Sequence, residues 1–323
     1  KAGPATVSIA DQAGFDKALE DLMRLFRASP FLLGPLGIRE HGTVALVDLL
    51  KQRGMLSGRN FYSFGGDETG WNAYALSQQF HPQPGGCYDC TVACKRTVSD
   101  GTVLPDYDQL AAFGGLCGLD DLEQIIELCS WCHDQGVDPV SYASGKIATA
   151  GETAMTVKGL DLPPYDPRAS TGLALAYATS PHGGSHLPAW PIASEILRKP
   201  VPTDRFSFDG KARVIAMFED ANAAVDCLSL CRFASAAVEL EELAALLSAV
   251  IGQGYSPADL IRIGRRTVQQ ERLFNQQCGF TAADDSLPQR FFTESANGLA
   301  PLDQQRFEQE LAAYHRIRAA QCL

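Results

Sequence analysis

The stretch Gly85-Gly86-Cys87-Tyr88-Asp89-Cys90-Thr91-Val92-Ala93-Cys94 sets three cysteines at C-x2-C-x3-C spacing behind a glycine pair. Three thiolates so close in the chain can turn toward one centre. A tetrahedral metal would need a fourth ligand, and so would a cubane iron–sulfur cluster. Zinc sites usually join two short arms, and no second arm stands out as a partner. Cys129-Ser130-Trp131-Cys132 competes, but its neighbours read as a buried helix, where free cysteine is common. Three clustered cysteines with one distant cysteine fit a [4Fe–4S] site better than a zinc site or a buried core triplet.

The elements that must position these thiols read as helices and long loops. Residues Ala5–Ala10 alternate apolar and polar and suggest a short strand. Asp11 caps a helix whose Phe15, Leu19, Leu22 and Phe26 share one face, ending before Pro30. Val44, Val47 and Leu50 mark a second helix stopped at Gly54, and Gly65-Gly66 a turn. Asp120 with Glu123 reads as a capping box for a helix carrying Ile125, Cys129 and Cys132, closed by Gly136. Pro163-Pro164-Tyr165-Asp166-Pro167 reads as a linker. Ala212 to Phe233 reads as one long helix carrying Asp226, Cys227 and Cys231. Helices then start at Leu240, behind Ser256-Pro257 and behind Asp303. With no β-α alternation and no internal repeat, the fold expected is mostly α, in two units covering residues 1–156 and 157–323.

Composition narrows the function. The 323 residues are 46% apolar and 20% charged, as in a globular chain with sizeable cores. The net charge is −11 with no basic stripe, which argues against nucleic acid. No apolar run approaches the roughly 20 residues that span a bilayer, and no signal peptide is seen. Ten cysteines at uneven spacing suit a reducing cytoplasm better than a disulfide framework. The first residue is Lys1, which suggests that something N-terminal has been removed.

Several motifs then occur together, in order. Gly85-Gly86-Cys87-x2-Cys90-x3-Cys94 is followed by Pro105-Asp106-Tyr107-Asp108, Lys158-Gly159-Leu160 and Tyr165-Asp166-Pro167-Arg168. Leu175 to Ser180, His186-Leu187, Asp226-x2-Ser229-Leu230-Cys231 and Asp285-x-Leu287-Pro288-x-Arg290-Phe291-Phe292 complete the series. Along nearly its whole length the chain resembles the two helical C-terminal domains, 2 and 3, of the aldehyde ferredoxin oxidoreductase family. The N-terminal β domain, which in that family cradles a tungsten or molybdenum bis-molybdopterin, has no counterpart in the sequence.

The resemblance implies roles residue by residue. Cys87, Cys90, Cys94 and Cys231 would ligate a [4Fe–4S] cluster, although Cys227, one helical turn earlier, competes on spacing alone. Two D-x-x-G-L-(D/C) stretches would hold the pterins, through Gly136 and Asp138 in the first and Asp226, Ser229 and Leu230 in the second. His133 stands where the first motif has Asp, and Ser229 where the second has Gly. Asp108 matches a metal-proximal glutamate in a P-E-Y-E stretch, and His186 a histidine in a G-x-x-H-L-R stretch. A carboxylate can take a proton as an aldehyde hydrate is oxidised, and a histidine can donate to the carbonyl oxygen. Without the resemblance, Asp108 would read as a helix cap and His186 as a loop histidine. Asp is a methylene shorter than Glu, Pro188 replaces the family arginine, and His182 stands where arginine is common.

The reading implied is the C-terminal part of a cytoplasmic oxidoreductase turning aldehydes into carboxylates, with ferredoxin or a ferredoxin-like acceptor taking the electrons. Its missing partner is the N-terminal pterin-binding domain, and the resemblance leaves room for a homodimer. The isolated chain is expected to carry no tungsten or molybdenum pterin and to show no turnover. The alternative is a non-catalytic iron–sulfur electron-transfer or binding subunit of a larger complex.

Overall fold

A computed structural model describes residues 8–63, 68–199 and 201–321. The Gly65-Gly66 turn and most of the Ala5–Ala10 strand lie outside them, and Ser8 and Ile9 form no strand. The described chain is mostly helical, with two small antiparallel hairpins, Gln83–Gly85 with Lys95–Thr97 and Thr156–Val157 with Leu160–Asp161.

Several helix starts follow from their caps. Asp11 accepts from the Gly14 amide to begin Gln12–Ala28, and Ser256 accepts from Asp259 ahead of Pro257–Gln277. Asp303 does the same for Gln304–Ala320. Leu122–Gln135 begins one residue later than the sequence suggests, because Asp121 and not Asp120 accepts the first-turn amides.

Lys211–Cys227 contributes to both apolar clusters of the interior, Ala212, Ile215 and Ala216 to one and Ala224 and Val225 to the other. It lies against Pro257–Gln277, Gln304–Ala320 and Thr171–Thr179. The first crossing is tight at Gly264, where a Cβ would stand 1.8 Å from the Asp220 carbonyl oxygen. Its buried Glu219 and Asp220 are paired by Arg318, at 2.5 Å to each, and Tyr314 donates to Glu219 at 2.5 Å. Two buried carboxylates on one helix thus meet partners on another, as burial of charge requires.

Among the described residues two apolar clusters fill the interior, and each draws on residues from both sides of position 156. The larger includes Val47, Leu50, Trp71, Tyr107, Tyr165, Tyr177 and Tyr314; the smaller joins Phe26, Leu32, Ile38, Val92, Val225, Leu243 and Leu260.

The sequence misleads at two places. The expected linker Pro163–Pro167 is buried throughout. Proline has no N–H to satisfy, so its carbonyl is the backbone polar group left to pair. The Tyr107 hydroxyl donates to the Pro164 carbonyl at 2.9 Å and the Tyr177 hydroxyl to Pro163 at 3.3 Å. The long helix expected through Phe233 stops at Cys227, and the reason lies at Ser229.

Candidate functional site

The thiol loop is held open by its backbone. Asp89 and Ala93 take φ of 54° and 48°, and a Cβ on Gly86 would stand 3.1 Å from Ala93 Cα. The Cys90 amide donates to the Cys87 carbonyl at 3.2 Å. Buried Arg96 donates to the carbonyls of Ala93, Arg39 and Glu40, and Arg39 to that of Thr91. Val92 anchors the loop in the smaller cluster, beside Ala224 and Val225 at the end of the Lys211–Cys227 helix.

That anchoring brings Cys231 to the loop. Past Cys227 the chain turns at Ser229, whose φ of 57° ends the helix. The Ser229 amide donates to Asp226 and the Leu230 amide to Val225. The other motif ends its helix with the same two bonds, Gly136 to His133 and Val137 to Cys132, with Gly136 at φ 67°. Both are Schellman closures, which need a residue in the left-handed region. Cys231 therefore sits in the following loop, exposed, instead of one turn along a helix from Cys227.

Cys90 and Cys231 both stand near enough to act on the Cys94 thiol, which burial pushes up against the pull of Lys95. Cys87 is exposed, and Cys90 and Cys94 are half-buried. Among the described residues no trio of His, Cys, Asp or Glu side chains closes on a single metal ion. Cys129 and Cys132 are buried in the core, apart from this group. Burial pushes the Cys129 thiol up to about 12.

Of the other expected pterin contacts, Asp138 caps Pro139–Thr149 by accepting from the Ser141 amide at 2.8 Å. Asp226 pairs with Arg232, and Leu230 and Ser229 lie exposed in the Cys231 loop.

Asp108 and His186 come together from distant parts of the chain. Asp106, not Asp108, caps the short helix Tyr107–Ala111, leaving Asp108 in its first turn. A π turn, Ala112–Leu116, follows at once, and such turns gather at functional sites. Its Gly114 and Gly115 admit Trp71 and the Ser57 carbonyl, at 2.7 and 2.5 Å from where a Cβ would be. His186 is placed by the Thr156–Asp161 hairpin. Lys158 and Gly159 take φ of 49° and 77°, the positive values that a two-residue I′ turn requires. Gly184 donates to the Val157 carbonyl at 3.0 Å, and a Cβ there would stand 2.6 Å from the Leu160 oxygen. Lys158 ties the hairpin to the Ala178 and Ser180 carbonyls and to Asp285 at 2.7 Å.

Between the two residues stand tyrosines that the sequence reading left without a role. The Tyr165 ring lies 4.7 Å from His186 and 4.8 Å from Tyr107. Its hydroxyl faces Asp108. Burial raises the Asp108 carboxyl, with His186 opposing the shift, and lowers His186, with Asp108 opposing. Asp108 Oδ1 and His186 Nδ1 are both buried without a protein hydrogen-bond partner. Buried polar atoms are rarely left so, and their cost points to a use. Tyr165 stands in the motif Tyr165-Asp166-Pro167-Arg168, where the sequence signals the residue but not its ring contacts. A cavity of ≈ 410 Å³ lined by Lys158, Arg272, Asn275, Asp285 and His315 lies beyond the hairpin, and neither Asp108 nor His186 lines it.

Residues 17–152 and 142–319 match the family model described as aldehyde ferredoxin oxidoreductase, domains 2 and 3. The chain belongs to the aldehyde ferredoxin oxidoreductase family. It is 29% identical to the tungsten-containing aldehyde ferredoxin oxidoreductase of Pyrococcus furiosus and 27% identical to that of Thermococcus kodakarensis, over 98% of its own length. It spans 63% of the length of each relative. Among solved structures, the active site complex BamBC of benzoyl coenzyme A reductase shares its fold. The TM-score is 0.59 at 12% identity, covering 96% of this chain and 63% of that one. The mostly helical fold expected of family domains 2 and 3 is thus the fold observed. Among the described residues no helix is long and apolar enough to cross a membrane.

Proposed function

We propose that the chain is the helical C-terminal part of an oxidoreductase that converts an aldehyde to a carboxylate and hands electrons to ferredoxin or a similar acceptor. The carrying observation is the Asp108–His186 pair, each with a buried, unpartnered polar atom, in a chain of this family.

Cys87, Cys90, Cys94 and Cys231 would hold a [4Fe–4S] cluster. The donor set fits: four free thiols, with Cys90 and Cys231 both bearing on Cys94. Gly136 and Asp138 on one helix end, and Asp226, Ser229 and Leu230 on its counterpart, would meet a tungsten or molybdenum bis-molybdopterin. When bound, these groups supply two-electron oxidation and one-electron relay.

The chain's own residues handle protons and position. Oxidising an aldehyde with water as the oxygen source releases two electrons and three protons per carboxylate formed. A raised carboxyl at Asp108 suits it better than an ordinary aspartate to accept one of those protons. A lowered His186 is held mostly neutral, with one ring N–H to donate toward the carbonyl oxygen. The Tyr165 ring fixes the imidazole plane, and the buried tyrosines exclude water.

The complete enzyme tests this. After anaerobic reconstitution it should hold about four irons and four sulfides per cluster site, and reduce a viologen only when given an aldehyde. Cys90→Ser and Cys231→Ser should lose the cluster, while Cys129→Ser keeps it. A fully loaded enzyme without aldehyde-dependent turnover would instead support an electron-transfer subunit. Zinc at one equivalent with no charge-transfer absorption would sink the cluster assignment.

A further inference from the structure

A short charged bridge joins the thiol loop to the helix that carries Asp108. Lys95 follows Cys94 and forms an ion pair with Asp106. The Thr43 hydroxyl donates to Asp106 Oδ1 at 3.2 Å and accepts from the Tyr107 amide at 3.0 Å. Thr43 is placed by Gly42, where φ is 68° and a Cβ would stand 3.2 Å from the Cys94 carbonyl oxygen. Asp106 is also the N-cap of Tyr107–Ala111, where its amide donates to Gln109 Oε1 at 3.2 Å. One residue pair therefore touches the end of the thiol loop and the first turn of the Asp108 helix.

Lys95 is the residue next to Cys94, and Asp106 reaches the same end of the loop through its ion pair with Lys95. Their side chains are 40% and 26% exposed. At that exposure an ion pair adds little stability. Stability alone is a weak reason for a charge pair beside a cluster ligand.

We propose that Lys95 and Asp106 set the reduction potential of the iron–sulfur cluster held at Cys94, Lys95 raising it and Asp106 lowering it. The proposal rests on the cluster assignment above. Reduction adds one negative charge to the cluster, so an adjacent ammonium favours the reduced state and an adjacent carboxylate disfavours it. The two act against each other, so the pair works as a trim whose balance follows from which charge lies nearer.

The test is a redox titration of the reconstituted complete enzyme, followed by electron paramagnetic resonance, with iron and sulfide counted in each variant. Lys95→Gln should shift the midpoint potential down and Asp106→Asn should shift it up, with the double variant between them. Lys95→Arg should restore the wild-type value. Asparagine is as good an N-cap as aspartate, so Asp106→Asn leaves the helix start intact. Both shifts should shrink as salt is added, since the pair is partly exposed. If Lys95→Gln binds too little iron, Lys95→Met serves with the same expected sign. Shifts of the same sign, or none at full iron content, overturn the proposal. A wild-type enzyme that takes up no cluster overturns it together with the cluster assignment, and the iron count separates the two failures.

Discussion

At Asp108 and His186 the chain accepts two desolvated titratable groups with unpartnered atoms, and this has consequences beyond rate. In the complete enzyme His186→Ala and Asp108→Asn should each lower kcat by about 10²-fold or more, the usual scale for a general acid or base. Unchanged turnover in both would remove them from the mechanism. Stability should respond in the other direction. His186 is lowered in the fold, so its contribution is complete above the unfolded value of about 6.5 and is lost as pH falls below it. Asp108 is raised, so its burial costs stability increasingly as pH rises from about 4 through the folded value. Melting curves against pH should therefore show His186→Gln gaining on wild type toward acid. Asp108→Asn should gain toward neutrality, and parallel curves would rule this out.

At the scale of elements, the two motif turns share one hydrogen-bond pattern but not one residue. Gly136 occupies the left-handed position at no steric cost, whereas Ser229 does so at roughly 1 kcal/mol. Ser229→Gly should raise stability by about 0.5 kcal/mol, net of the added chain entropy, read as a small rise in melting temperature. A fall would mean that the serine side chain matters there. The same substitution explains why this helix end was illegible. Apolar spacing continues past Asp226, and the glycine that would announce the stop is missing. Caps that use ordinary signals, such as Asp11, Ser256-Pro257 and Asp303, were legible. Pro163–Pro167 was not, because a proline pair reads the same whether it is solvated or buried under tyrosine hydroxyls. Motif order singles out Cys87, Cys90, Cys94, Asp108 and His186 as candidates. The same order includes Tyr165 but gives its ring no role, since ring contacts across distant segments leave no spacing.

Across the whole molecule, the packing hinges on one crossing. Gly264→Ala would drive a methyl into the Asp220 backbone, forcing apart the helices that start at Lys211 and Pro257. The expected loss is about 1–3 kcal/mol, as for other overpacked contacts. Thermal unfolding would show it, and an unchanged midpoint would mean that the crossing yields. Charge at Glu219 and Asp220 would move with the helix, so loosening should also disturb Arg318 and Tyr314. The anchoring of Val92 near the Cys231 turn has a consequence of another kind. On the proposed ligand set, residues 94 and 231 would be tied through one inorganic core, closing a loop of well over a hundred residues. Cross-links spanning that much chain remove roughly 4–5 kcal/mol of freedom from the unfolded ensemble in the chain-entropy model. The cluster would then be a fastener as well as a wire, and oxygen that dismantled it would unlatch the smaller apolar cluster along with the electron path.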